Sequence, residues 1–251
     1  AEEFAESMLE FVEKYHVQVV GGCCGTTPLH LAALVEKVKD VKLPSRPVDI
    51  KPQLASAIEA TDMQQVPAPF LIGERLNTQG SKKFKQIILN EVYEDVMAIA
   101  QQQVDSGAHG LDLCVALTER ADEADTIEKV IKKIAPNFKV PLVIDSTELD
   151  VIERALQTAP GRCMINSTHF ESGREKADKI FSLAKKYNAA VMVLTIDEKG
   201  MAKTAQRKLE IAKRLVNVAV KDHGLTPSDL VVDPLTFTLA TGDQEFNLSA
   251  K

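Results

Sequence analysis

The sequence predicts an α/β fold, a parallel (β/α)8 barrel that runs as far as its sixth strand. Three observations predict it. From Pro69 onward, short β-rich runs alternate with helical segments, the signature of βαβ crossovers in a parallel sheet. The runs are almost continuously apolar, as strands covered on both faces are. Each of the six also ends on or near a carboxylate or an amide, although acidic residues are disfavoured within strands.

Along the chain, residues 1–16 read as an amphipathic helix with Phe4, Met8, Phe11 and Val12 on one face. A short apolar run, Val17 to Val20, then meets Gly21-Gly22-Cys23-Cys24-Gly25. A second helix is expected from about Pro28 to Asp40, with proline at the start, where its missing N–H is harmless. Residues 1–40 thus form an αβα piece too small to bury its own apolar faces. Residues 41–68, with prolines at 44, 47, 52 and 67 and few periodic apolar positions, read as a linker holding a short helix near Gln53–Ala60.

The barrel portion is 69–251. Its strands are expected at Phe70–Glu74, Gly110–Val115, Pro141–Asp145, Cys163–Asn166, Ala190–Thr195 and Leu230–Asp233. Helices are expected at Val92–Ser106, Ala124–Ile134, Leu149–Thr158, Arg174–Tyr187 and Thr204–His223, the last with Leu209, Ala212, Leu215, Val216 and Ala219 at helical spacing. A closed barrel of this kind needs eight strands and about 250 residues of its own. The expectation is therefore a barrel truncated after strand six, with two free sheet edges that favour self-association.

Composition narrows the function. A net charge of −6 and a pI near 5.5 argue against a nucleic-acid surface, and basic stretches such as Lys82-Lys83-Phe84-Lys85 read as solvated helix faces. No apolar run approaches the ~20 residues of a membrane span. The start, Ala1-Glu2-Glu3-Phe4, has neither an initiator Met nor a signal-peptide pattern, so a beginning inside a longer, cytoplasmic protein is expected. Four cysteines make no disulfide framework in a chain this size.

The strand ends carry the chemistry. They deliver Glu74 with Asn77 close behind, then Asp112, Asp145, Asn166, Asp197 and Asp233. On a (β/α)8 barrel that end is the active-site face, so these side chains converge on one mouth. At any single position, capping of the next helix or turn explains the residue equally well. A ring of Asp and Asn without neighbouring Arg or Lys suits a neutral heterocycle rich in N–H donors. A carboxylate accepts two parallel N–H bonds, as it does from guanidinium, and the 2-amino-4-oxo edge of a pterin presents such a pair. The histidines are scattered and fit no metal-ligand spacing. His169, at a strand end, could face the mouth, while Met164 and Met192 read as core. No catalytic residue is assigned. Cys23 and Cys24, at a glycine-flanked turn, are either two ligands of a zinc ion that activates a thiol or two buried cysteines.

These residues resemble known families. Gly21-Gly22-Cys23-Cys24-Gly25-Thr26-Thr27-Pro28 is similar to the last strand-turn of the homocysteine-binding zinc barrel of cobalamin-dependent methionine synthases. Gly73-Glu74-Arg75-Leu76-Asn77, Leu111-Asp112-Leu113, Ile144-Asp145-Ser146-Thr147, Ile165-Asn166-Ser167-Thr168 and Val232-Asp233-Pro234-Leu235 resemble, in order, the motifs of the pterin-binding family. That family takes in methionine synthases, methyltetrahydrofolate:corrinoid methyltransferases and dihydropteroate synthases.

The resemblance implies the end of a second barrel at 1–40 ahead of the pterin barrel. It also implies pterin contacts at Asp145, Asn166 and Asp233, with Asp112 and Glu74 at matching mouth positions, and zinc ligands at Cys23 and Cys24. One departure is Cys114, where relatives often carry an amide. The family's later asparagine and third zinc cysteine are expected outside this chain. The implied reaction is methyl transfer from 5-methyltetrahydrofolate to cob(I)alamin on a separate domain and on to homocysteine. The alternatives are a methyltransferase acting on a corrinoid protein and a pterin-binding module without activity of its own.

Overall fold

A computed structural model of the chain describes residues 1–43, 50–236 and 244–250. They belong to two compact units, Ala1–Asp49 and Ile50–Lys251. In the first, helix α1 (Glu2–Tyr15) packs against α2 (Pro28–Val38). α1 buries Ala5 and Val12, α2 buries Leu34, and Lys37 ties back to Glu2 at 2.9 Å. At the start of α2 the Thr27 N–H donates to His30 Nδ1 at 3.2 Å, closing one donor the helix cannot satisfy itself. The run Val17 to Val20 forms no strand, and Val19 is 87% exposed. A strand needs a neighbour for its N–H and C=O groups, and this unit has no strand among its described residues.

The second unit opens where a linker and a short helix were expected, with an antiparallel hairpin of β1 (Gln53–Ala55) and β2 (Ala60–Asp62). Ser56 makes its turn, its Oγ accepting from the N–H groups of Ile58 and Glu59. Leu54 points inward and is fully buried against Val143, Met164 and Ala190.

The chain continues through β3 (Ile72–Asn77), α3 (Lys82–Leu89), α4 (Val96–Asp105), β4 (Gly110–Cys114), α5 (Glu123–Ile134), β5 (Leu142–Asp145), α6 (Leu149–Thr158), β6 (Met164–Thr168), α7 (Glu175–Tyr187) and β7 (Ala190–Leu194). A second short hairpin, β8 (Ile196–Asp197) and β9 (Gly200–Met201), precedes α8 (Ala205–Lys221), β10 (Leu230–Asp233) and α9 (Gln244–Leu248). The main sheet has the order β3-β4-β5-β6-β7-β10 with every neighbouring pair parallel. This is the α/β barrel order that the strand–helix alternation predicts.

Each strand serves two cores by alternation. Leu111, Leu113, Ile144, Ile165, Val191 and Val193 face the helices, meeting Ile127, Ile131, Ile152 and Leu215. Val143, Met164 and Ala190 face the other way, onto Leu54 and the partly buried Met192 and Val231. At about 1.5–3 kcal/mol per large apolar side chain fully buried, the helix-side layer dominates cohesion. The phase of α8 differs from its expected stripe. Its buried face is Lys208, Ile211, Leu215, Val218 and Ala219, while Leu209 is about half exposed.

Arg162 fastens the first hairpin to the barrel. Its backbone exchanges two hydrogen bonds with Ala55 at 2.9 and 3.0 Å. Its guanidinium donates to the carbonyls of Gln53 and Asn188 and pairs with Asp229, both partners being mostly buried. Beside it, Gly161 has φ +81° and a Cβ there would lie 2.3 Å from the Ala55 carbonyl oxygen, so only glycine fits. Replacing Arg162 with Met leaves Asp229 and two carbonyls short of a donor. The expected loss is about 2–3 kcal/mol of unfolding free energy, read as a lower urea midpoint. A change below about 0.5 kcal/mol would show that the hairpin is not held by this residue.

Candidate functional site

The ladder register builds the site layer by layer. Val143 and Met164 line the barrel interior, and the two-residue period of a strand carries that orientation to Asp145 and Asn166, which pair with each other. Asn166 lies opposite Met192, and Met192 opposite Val231. On the other flank, Leu113 pairs with Ile144, so Cys114 falls beside Asp145, and Asn77 lies opposite Cys114. One interior layer therefore reads Asn77, Cys114, Asp145, Asn166, Met192, Val231. It is polar across β3 to β6 and apolar on β7 and β10. Asp112 sits one layer deeper opposite Val143, and Asp233 one layer nearer the rim opposite Leu194.

Amides cross-brace the acids. Asn77 Nδ2 donates to Asp145 Oδ2 and Asn166 Nδ2 to Asp112 Oδ1, both at 3.1 Å. Asn77 is itself fixed, because its Oδ1 accepts from the N–H groups of Gln79 at 2.8 Å and Gly80 at 3.2 Å. Its side chain holds the carboxylates in place and has no acceptor left over for a ligand. Asp112 is 2% exposed. Burial pushes its carboxyl up to about 7, the charges of Asp145 and Glu74 push the same way, and the Asn166 amide opposes them. Asp145 is raised as well, first by burial and then by the Glu74 charge, against the donors Asn77 and Cys114. Burial also lifts Cys114 to about 11, so near neutral pH it is a thiol and a donor.

Other residues singled out in the sequence fall elsewhere. Glu74 is exposed in the bulge between Gly73 and Leu76 on β3, level with Asp112, and acts on Asp112 and Asp145 through its charge. Asp233 accepts the Leu235 N–H at 2.7 Å. The structure does not bring Asp197 into the cluster. β7 stops at Leu194, the chain turns into the β8–β9 hairpin, and Asp197 is buried there against Arg207 while accepting the Lys199 N–H at 3.1 Å. His169 Nδ1 accepts the Glu171 N–H within its own turn at 3.2 Å.

Cationic residues are present after all, Arg207 at Asp197 and Lys208 near Asp233. In the sequence Cys114 stands out only as a departure from the family pattern, and Lys208 does not stand out at all. Cys114 is two residues beyond Asp112 on one strand and so shares its face. Lys208 stands at a core position of α8, three residues before Ile211 and seven before Leu215.

In the first unit, Cys23 and Cys24 are exposed, not buried, and their sulfurs are 3.8 Å apart. Two thiolates at about 2.3 Å from a tetrahedral zinc ion lie ~3.8 Å from each other, so the pair fits two positions of such a site. No third ligand joins them among the described residues.

Comparison with known proteins places the chain in a family. The profile of a family described as pterin binding enzyme matches residues 73–251, and that of homocysteine S-methyltransferase matches residues 1–38. The methionine synthase of Mycobacterium tuberculosis (strain ATCC 25618 / H37Rv) is 39% identical over 247 residues, covering 97% of this chain and 21% of that protein. The methionine synthase of Mycobacterium leprae (strain TN) is 38% identical over 252 residues, with the same shares. The chain thus spans about a fifth of the length of the curated relatives it matches. A Xanthomonas albilineans dihydropteroate synthase, solved with indole-2-carboxylic acid and 6-chloroguanine, superposes with a TM-score of 0.54 at 14% identity over 74% of this chain and 65% of that one. That likeness is one of fold.

The buried acid makes stability depend on pH. Asp112 moves from an ordinary 3.8 to about 7 on folding, so the native state holds more protons than the unfolded one between those values, and stability falls as pH rises through that window. Asp112→Asn keeps the acceptor for Asn166 and removes the titration. The variant is expected to be more stable than the parent at pH 8, by on the order of 4 kcal/mol, with the advantage vanishing below pH 4. Thermal melts at the two pH values check this, and an equal difference at both would contradict it.

Proposed function

The chain belongs to the pterin binding enzymes, and we propose that it binds the pterin ring of 5-methyltetrahydrofolate as the folate part of a methionine synthase. In that role it hands the methyl group to cob(I)alamin on a separate domain, for onward transfer to homocysteine. The observation that carries the reading is the interior layer that is polar on one half and apolar on the other. A pterin has the same division. Its 2-amino-4-oxo edge offers paired N–H donors and an acceptor, while its ring faces are apolar. Asp145, Asp112 and Asp233 take the donors, the Asn166 amide supplies a hydrogen, and Met192 and Val231 cover the ring. Glu74, on the bulged stretch of β3 level with Asp112, adds negative charge beside these acids.

Chemically, N5 of the folate is a poor leaving group until it gains a proton or a strong hydrogen bond in the transition state. When bound on its own domain, cobalamin supplies the nucleophile. The barrel's residues have a different task, which is to hold the ring in one orientation with N5 presented outward, so that the transfer is pre-oriented. In the first unit, Cys23 and Cys24 would hold zinc together with a ligand from outside the described residues, and zinc there would keep a substrate thiol as its reactive thiolate.

The match to homocysteine S-methyltransferases at residues 1–38 favours this reading over a methyltransferase that serves a corrinoid protein, in which the cysteine pair has no use. It equally disfavours a module without activity. The free thiols of Cys23, Cys24, Cys114 and Cys163 suit a reducing, cytoplasmic setting. No helix among the described residues is long and apolar enough to cross a membrane.

Replacing Asp145 or Asp233 with Ala removes a charged acceptor from the ligand. Each is expected to weaken 5-methyltetrahydrofolate binding by about 1.5–3 kcal/mol, roughly 10- to 150-fold. Calorimetric titration measures it, and unchanged affinity in both variants would remove the assignment.

A further inference from the structure

A buried lysine stands behind Asp233. Lys208 is 3% exposed on the inner face of α8. Its Nζ donates to the Leu235 carbonyl and to the Phe246 carbonyl, each at 3.0 Å, and lies 3.9 Å from the centre of the Phe246 ring. One ammonium therefore joins the turn that follows β10 to α9. Sequestering a cation in a protein is costly unless it is well partnered, and carbonyls and an aromatic face are suitable partners.

Leu235 is the unusual link. Its φ is +59°, a left-handed conformation that is uncommon for a residue with a bulky side chain. Two contacts hold it there: its N–H donates to Asp233 Oδ1 at 2.7 Å, and its carbonyl accepts from Lys208. The Asp233 carboxylate is thereby tied into a turn whose far side Lys208 closes. Burial draws the Lys208 ammonium below the ordinary lysine range, and the charge of Asp233 draws it back up. The two groups therefore sense each other although another residue stands between them.

We propose that Lys208 is a positioning residue of the candidate site, locking the turn after β10 so that the Asp233 carboxylate is held at the rim for its ligand. This role rests on the pterin reading above. Lys208 acts through Leu235, so its loss leaves Asp233 present but free to swing away. A lysine that only supported the fold would weaken ligand binding by the same factor whether or not Asp233 was there.

A double-mutant cycle separates the two. Lys208→Met, Asp233→Ala and the double variant are titrated with 5-methyltetrahydrofolate. Lys208→Met is expected to weaken binding about tenfold in the parent and less than about twofold in the Asp233→Ala background. Equal losses in both backgrounds would overturn the proposal.

A second measurement needs neither ligand nor a substitution at Lys208. The ε-methylene resonance of Lys208, assigned by through-bond NMR, is compared in the parent and in Asp233→Ala. A displacement beyond the line width supports the coupling, and an unmoved resonance overturns it. This arm decides if Lys208→Met does not fold or if Asp233→Ala binds too weakly to titrate. Should the parent not bind the folate at all, the proposed function falls, and the NMR arm still decides whether Lys208 and Asp233 are coupled.

Discussion

Alternation of side chains along six parallel strands is the constraint on which the rest of the barrel unit depends. Because successive residues point to opposite faces, a five-residue strand such as Gly110–Cys114 gives Leu111 and Leu113 to the helix layer and Asp112 and Cys114 to the interior. The apolar half fastens the sheet to its helices, and the other half is thereby left available for chemistry. A slip of one residue would drive Asp112 into a layer of isoleucines and turn a leucine onto the mouth. The hairpin below makes the arrangement workable, since Leu54 fills the base of the interior and the polar residues need to fill only its upper part.

The cost of that arrangement is electrostatic. Asp112 and Asp145 are raised first by burial, and the Glu74 charge raises both further, as the Asp145 charge raises Asp112. The amides of Asn77 and Asn166 relieve the strain in part, each supplying a donor to one carboxylate. A ligand that brings more N–H donors relieves it further. Binding energy in such a site comes from discharging an unfavourable local field as well as from making contacts.

The sequence made the sheet legible to within a residue or two, apart from β3, which runs three residues past its expected end, because apolar runs bounded by helical segments are strong signals in a parallel sheet. Leu149–Thr158 and Leu230–Asp233 fall where periodicity puts them. The β1–β2 hairpin was not legible. It is held by Arg162, some hundred residues away in sequence, and nothing in Gln53–Asp62 announces a partner at that distance. The phase of α8 is hidden from the sequence for a related reason. Leu209 outranks Lys208 on any hydrophobicity scale, yet carbonyls at Leu235 and Phe246 reward the ammonium for being inside.

At the site, the residue types at the strand ends were readable and their placement followed from the barrel. Asp197 is the exception. A strand end predicts an interior position only while the strand continues, and after Leu194 the chain folds back on itself instead. Asn77 differs in role rather than in place, as its hydrogen bonds make it a brace for the acids.

The most direct test of the account is the proton balance of ligand binding. Asp112 titrates near 7 in the free protein, and donors from a bound pterin favour its ionised form. Titration with 5-methyltetrahydrofolate at pH 6.5, repeated in buffers of different ionisation enthalpy, counts the protons exchanged. One site per chain and release of a fraction of a proton are expected. Absence of binding, or binding with proton uptake, would contradict that expectation.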